Sequence, residues 1–167
     1  MFNGASAFNQ PLDGWDVSNV YNMNGLFKGA SSFNQPIESW NVSGVTEMEE
    51  MFEDAQSFNQ PLGLWDVSSV TSMYDMFEGA ISFNSRIDSA SSSYYGWETS
   101  QVTSMEDMFR GAFVFNQYIG ALNVSRVQSM ESMFEDAHVF DRPIHGWDVS
   151  SVTSMGCLLY TSDAADE

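Results

Sequence analysis

The sequence predicts an α/β repeat, a solenoid with a parallel sheet of short strands on one face and helices on the other. The first observation behind this is recurrence. The line Met-Phe-x-x-Ala-x-x-Phe-Asn-Gln-Pro-Leu-x-x-Trp-Asp-Val-Ser-x-Val-Thr-x-Met returns about every 25 residues, in copies opening at Met1, Leu26, Met51, Met76, Met108 and Met133. A period of roughly 20–50 residues marks stacked repeats rather than a globule built round one cleft. The other two observations are the periodicities inside a copy.

Val45, Met48, Met51, Phe52, Ala55 and Phe58 are spaced three, three, one, three and three, which places them on one helical face, with Glu47, Glu49, Glu50, Glu53 and Asp54 between them. Ser43 stands where a helix N-cap would, and Asn59 and Pro61 stand where the helix would stop. Each copy is therefore expected to hold a helix of roughly 12–14 residues, about 20 Å long. In Leu62-Gly63-Leu64-Trp65-Asp66-Val67-Ser68 the apolar Trp65 and Val67 alternate with Asp66 and Ser68, the period of a strand. One strand and one helix in such a period fall in the leucine-rich-repeat range, so the expected architecture is a leucine-rich-repeat-like solenoid. Neither element buries its apolar face alone. Stacking would bury Met, Phe, Trp and Val ladders at about 1.5–3 kcal/mol per large side chain.

Residues 1–155 read as one solenoid of about six copies. The fourth copy is longer, with an insertion at 88–96 that is rich in serine and carries Tyr94 and Tyr95. Insertions of this kind emerge as loops on one face. This one reads either as a tolerated bulge or as a binding loop, since Tyr and Ser supply contact area at low entropic cost. Met1 occupies the repeat's own Met position, so the chain reads as a fragment. Residues 156–167 leave the pattern and read as the translation of a sequencing adapter, to be set apart from the fold.

Composition narrows the function. Twenty-three acidic residues against five basic ones give a net charge of −18, which leaves no cationic surface for nucleic acid or for anionic lipid. Aromatic content of 14% argues against an acidic disordered tail. No apolar run is long enough to span a membrane, and no secretion signal is visible. The single cysteine, Cys157, lies outside the repeats, so disulfides and thiolate metal sites are excluded within them.

The blocks Phe8-Asn9-Gln10-Pro11-Leu12, Phe58-Asn59-Gln60-Pro61-Leu62, Trp15-Asp16-Val17-Ser18, Trp65-Asp66-Val67-Ser68 and Trp147-Asp148-Val149-Ser150 resemble those of the BspA-like leucine-rich-repeat surface proteins. The resemblance runs from Met1 to about Met155. It implies a curved solenoid at the cell surface or secreted, with a role in adhesion, and names no ligand. The fourth copy departs from the pattern at Asn84-Ser85-Arg86 and Trp97-Glu98-Thr99-Ser100, and the fifth at Leu122-Asn123-Val124-Ser125.

Two outward ladders are the candidate binding face: Asp16, Asn41, Asp66, Glu98, Asn123 and Asp148, and beside them Ser18, Ser43, Ser68, Ser100, Ser125 and Ser150. Oxygen rows suit Ca²⁺, but no Asp-x-Asp-x-Asp-Gly loop is present. No metal or cofactor is assigned, and Ca²⁺ is the one ion the rows could take. The competing reading is a register device in which Asp and Ser bond nearby backbone. Asn41-Val42-Ser43 and Asn123-Val124-Ser125 fit the glycosylation pattern through an Asp-to-Asn change in the repeat. Thr46, Thr71, Thr103 and Thr153 form an array broken by Tyr21 and Gln128. His145, Asp148 and Ser150 are too close along the chain to form a triad, and no phosphate-binding glycine motif occurs. The expected role is non-enzymatic: a surface module binding protein or glycan through an extended face, or alternatively a rigid spacer without a ligand.

Overall fold

A computed structural model describes residues 1–87 and 96–159. Tyr94, Tyr95 and the tail beyond Leu159 lie outside the described residues. The apolar positions of the repeat turn inward as expected. Val45, Met48, Met51, Phe52, Ala55 and Phe58 are completely buried, and so are their counterparts Val70, Met73, Met76, Phe77, Ala80 and Phe83.

The elements that carry them inward are not the predicted ones. Among the described residues there is no helix, and strand-like pairing is limited to one residue per coil: Asn22, Glu47, Ser72, Ser104, Ser129 and Ser154 bridge in parallel succession. The α/β, leucine-rich-repeat-like solenoid is thus corrected to a stack of coils built from turns. Over 45–58 the chain closes successive turns, with the N–H groups of Met51, Glu53, Ala55 and Phe58 donating to the carbonyls of Met48, Glu50, Phe52 and Ala55. Such i→i−3 turns reproduce the three-residue spacing of a helical face. Helix does not propagate because Glu50 (φ 57°) and Asp54 (φ 55°) are left-handed. That conformation breaks the right-handed run required for i→i−4 bonding. It swings alternate N–H groups out of the coil, so Glu50, Phe52 and Asp54 donate to Tyr74, Met76 and Glu78 of the next coil.

Both left-handed corners recur. Gly25, Asp75, Asp107 and Ser132 occupy the position of Glu50, and Gly29, Gly79, Gly111 and Asp136 that of Asp54. Gly, Asp and Asn tolerate this region best, which accounts for the Gly-or-Asp choice before Ala in each copy. At Gly79 a second constraint applies, since a Cβ there would collide with the Asp54 carboxylate.

The predicted strand at 62–68 is likewise a turn. Trp65 N–H closes onto the Leu62 carbonyl, and its indole Nε1 donates to the Ile37 carbonyl one coil back at 3.1 Å. Trp40, Trp97 and Trp147 make the same bond to Leu12, Leu62 and Ile119. Trp65 and Val67 are buried and Asp66 is exposed, so the facing is as the alternation requires although the ladder of a sheet is missing. Thr99, standing where other copies have Val, is fully buried and satisfies its hydroxyl on the Asn123 carbonyl at 3.0 Å.

Two devices set the register. Asn9, Asn34, Asn59, Asn84 and Asn116 form a ladder in which each Oδ1 accepts the backbone N–H of the equivalent residue one coil on, at 2.8–3.1 Å. The amides of Gln35, Gln60 and Gln117 add a second donor to the same oxygens. Asn59 is therefore a rung and not a helix stop. The second device is aromatic. Phe2, Phe27, Phe52, Phe77, Phe109 and Phe134 stack between coils at centroid distances of 5.4–5.9 Å. Within each coil the paired ring, for example Phe58 on Phe52, lies 4.0–4.2 Å away. Parallel rings at such distances add attraction beyond the area they bury. The inter-coil bonding continues through Ser132 and Phe134 donating to Gly156 and Leu158.

Phe58→Ala should lower the unfolding free energy by about 3–5 kcal/mol in urea titrations; a loss below about 1 kcal/mol would contradict its place in the ring column. Asn59→Ala leaves the Asn84 N–H without its acceptor and should cost about 1–3 kcal/mol by the same measurement, against no loss if the ladder were incidental.

Candidate functional site

The predicted face is assembled, and most of its polar atoms are already engaged. Asp16 Oδ1 accepts from Ser18 N–H at 3.0 Å and Ser18 Oγ at 2.6 Å, and Asp66 holds Ser68 in the same way. Asn41 holds Ser43 and Asn123 holds Ser125 with both bonds. Glu98 and Asp148 accept the N–H of Ser100 and Ser150. Ser43 is therefore the donor of an Asx turn and not a helix cap. All six acceptor residues are exposed. The Ser18 and Ser150 hydrogen bonds hold the Asp16 and Asp148 carboxyls below the usual range. The threonine array is also spent on the stack: Thr46, Thr71, Thr103 and Thr153 donate to backbone carbonyls of the preceding coil.

A second strip, read from the sequence as outward charge on a helix, is electrostatically more strained. It follows the left-handed corners and gathers Glu50, Glu53, Asp75, Glu78, Asp107 and Glu135 around two cations. Lys28 Nζ lies 2.6 Å from both Glu50 Oε2 and Glu53 Oε2, and these bonds raise its pKa. Arg110 lies 3.3 Å from Glu78, 3.6 Å from Asp107 and 3.7 Å from Glu135. Between the two cations sits Asp75, only 7% exposed. Its Oδ1 is enclosed and accepts no hydrogen bond. Burial, then the charge of Glu78, push the Asp75 carboxyl up to about 7, despite a hydrogen bond from Tyr74. The Asp75 charge in turn pushes Tyr74 up to about 12. Burial also raises Glu78 and Asp107. Oxygens of Glu50, Glu53 and Asp75 lie within 4.8 Å of one another. The signal for this strip was present in the alternation of Gly25 with Glu50, Asp75 and Asp107, but helical periodicity assigned those positions to solvent.

A third feature departs from the repeat. Phe113, Val114 and Val139 are 43%, 43% and 47% exposed, and Phe113 stacks on exposed His138 at 5.2 Å. Earlier coils carry Ser31-Ser32, Gln56-Ser57 and Ile81-Ser82 at these places. A 370 Å³ apolar pocket lies at the first coil, lined by residues including Phe2, Trp15, Val20 and Trp40. No helix among the described residues is long and apolar enough to cross a membrane.

A family model described as a Mycoplasma protein of unknown function, DUF285, matches residues 1–91 and again residues 88–166. No significant match is found among curated proteins or among solved structures. This corrects the resemblance to BspA-like leucine-rich-repeat proteins: the family matched is a different one, and the strand and helix that define a leucine-rich repeat are missing among the described residues.

The Asp75 carboxyl holds its proton to about pH 7 in the folded chain and releases it near 4 when unfolded. The folded state then binds more protons between those limits, so stability falls as pH rises from about 4 to 7 and levels beyond. One group accounts for at most about 1.4 kcal/mol per pH unit. The lowered Asp16 and Asp148 act below this window. Urea titrations at pH 5, 6, 7 and 8 should show the decline, and Asp75→Asn, which tolerates φ 53°, should shrink it; an unchanged slope would contradict the placement of Asp75.

Proposed function

The chain belongs to the family described as a Mycoplasma protein of unknown function, DUF285, and we propose that it is a non-enzymatic binding or adhesion module meeting a protein or glycan at a cell surface. Contact is made through the side of the stack. The observation that carries this reading is the apolar cluster of Phe113, Val114, His138 and Val139, exposed on an otherwise acidic molecule. Among the described residues, folding leaves these side chains close to half exposed, and equivalent positions in earlier coils are mostly polar. Exposed aromatic and apolar groups that cluster on a rigid scaffold are the usual anchors of an interface. The surrounding negative charge favours partners carrying basic groups.

One observation favours the alternative of a rigid spacer. The Asp16-to-Asp148 row and its serines bond within their own coils, which leaves few free polar groups on that face for a ligand.

Attachment of the labelled chain to immobilised matrix proteins and glycans separates the two. The triple variant Phe113→Ser, Val114→Ser, Val139→Ser should keep its melting temperature and lose attachment at least tenfold. Attachment equal to that of the wild type would remove the cluster from the function, and absence of attachment by the wild type would leave the spacer.

A further inference from the structure

We propose that Glu50, Glu53 and Asp75 form a divalent-cation site that prefers Ca²⁺, where segment 47–54 lies against segment 72–79. Three facts converge on it. The first is distance. One oxygen from each of the three carboxylates lies within 4.8 Å of the other two. Two oxygens that bind a single ion at about 2.4 Å, the Ca²⁺ distance, stand at most about 4.8 Å apart, whereas at the Mg²⁺ distance of about 2.1 Å the limit is about 4.2 Å. The cluster lies within the Ca²⁺ limit, and Mg²⁺, which demands near-ideal octahedral geometry and sheds its water reluctantly, suits three backbone-fixed carboxylates less well.

The second fact is an oxygen without a partner. Asp75 is 93% buried, and its Oδ1 accepts no hydrogen bond. Buried anionic oxygens nearly always find a donor or a cation, because burial strips away water that would otherwise solvate them. Tyr74 hydrogen-bonds the carboxyl yet leaves Oδ1 bare. The third fact is charge. Once an arriving cation displaces the Asp75 proton, three carboxylates carry −3, and Lys28, paired with Glu50 and Glu53, returns +1. The remaining −2 is what one divalent ion neutralises.

The backbone fixes the donors. Glu50 and Asp75 occupy equivalent left-handed corners of adjacent coils, at φ 57° and 53°. Glu50 N–H is bonded to the Tyr74 carbonyl, which ties the two corners together. Three carboxylates do not complete a shell of six to eight oxygens, so water supplies the rest, and affinity falls at the weak end, about 10⁻⁴–10⁻³ M. The site stands on its own geometry and does not depend on the adhesive reading.

Calorimetric titration of the intact chain with CaCl₂ and, separately, MgCl₂ at constant ionic strength tests it. A single saturable Ca²⁺ site is expected, with Mg²⁺ weaker. Asp75→Asn should weaken Ca²⁺ binding at least tenfold, whereas the triple change Asp16→Ala, Asp66→Ala, Asp148→Ala should leave it unchanged. Should Asp75→Asn lose the wild-type circular dichroism spectrum, Glu53→Gln takes its place with the same expectation. No saturable heat with Ca²⁺, equal binding by Mg²⁺, or wild-type affinity in a folded variant would overturn the site.

Discussion

The alternation of backbone hydrogen bonds between two directions holds this molecule together. Along 23–30 the N–H groups of Met23, Gly25, Phe27 and Gly29 reach the carbonyls of Glu47, Glu49, Met51 and Glu53 in the next coil, while those of Leu26, Lys28 and Ala30 return to Met23, Gly25 and Phe27. Along this segment successive N–H groups therefore alternate between closing turns and joining coils. Burial of so large an apolar content without helix or sheet among the described residues depends on that division, because a buried amide left unpaired costs as much as a lost hydrogen bond. The left-handed corners make the division possible, and their recurrence at Gly25, Glu50, Asp75, Asp107 and Ser132 makes every coil a template for the next.

Side chains then reinforce the register that the backbone sets. Indole nitrogens, asparagine amides and threonine hydroxyls each donate to or accept from the neighbouring coil. Phenylalanine rings stack along the same direction. Most copies thus repeat the same small set of contacts, and nearest-neighbour coupling of that kind gives repeat proteins their stability. Polar atoms spent in this way are withdrawn from recognition, which is why the regular face is the poorer candidate for a ligand and the irregular one, at Phe113 and His138, is the better.

The sequence discloses which residues face inward with high fidelity, since Phe58, Met51, Trp65 and Val67 are all buried as read. It does not disclose the path between them. Spacing of three residues is common to a helix and to a run of i→i−3 turns, and only the conformation of Glu50 and Asp54 separates the two; Glu50 in particular gives no hint of a left-handed corner, although Gly25 at the equivalent place does. Asn59 followed by Pro61 reads naturally as a helix end, whereas its partner lies a full period away at Asn84, beyond the reach of any local rule. The serine and aspartate rows were legible in both roles, and the hydrogen bonds favour the register role. Asp75 was invisible as a buried group because a helical wheel turns it outward.

The fold concentrates unrelieved electrostatic tension at one place. Lys28 and Arg110 anchor the two ends of the acidic strip, and Asp75 between them is buried with an Oδ1 that accepts no hydrogen bond among the described residues. The central claim, that coil-to-coil bonds replace a helix, is tested most directly by nuclear magnetic resonance detection of scalar coupling across hydrogen bonds. The amide nitrogen of Phe52 should correlate with the carbonyl carbon of Met76. Correlation instead with the carbonyl of Met48, the helical partner, would contradict it.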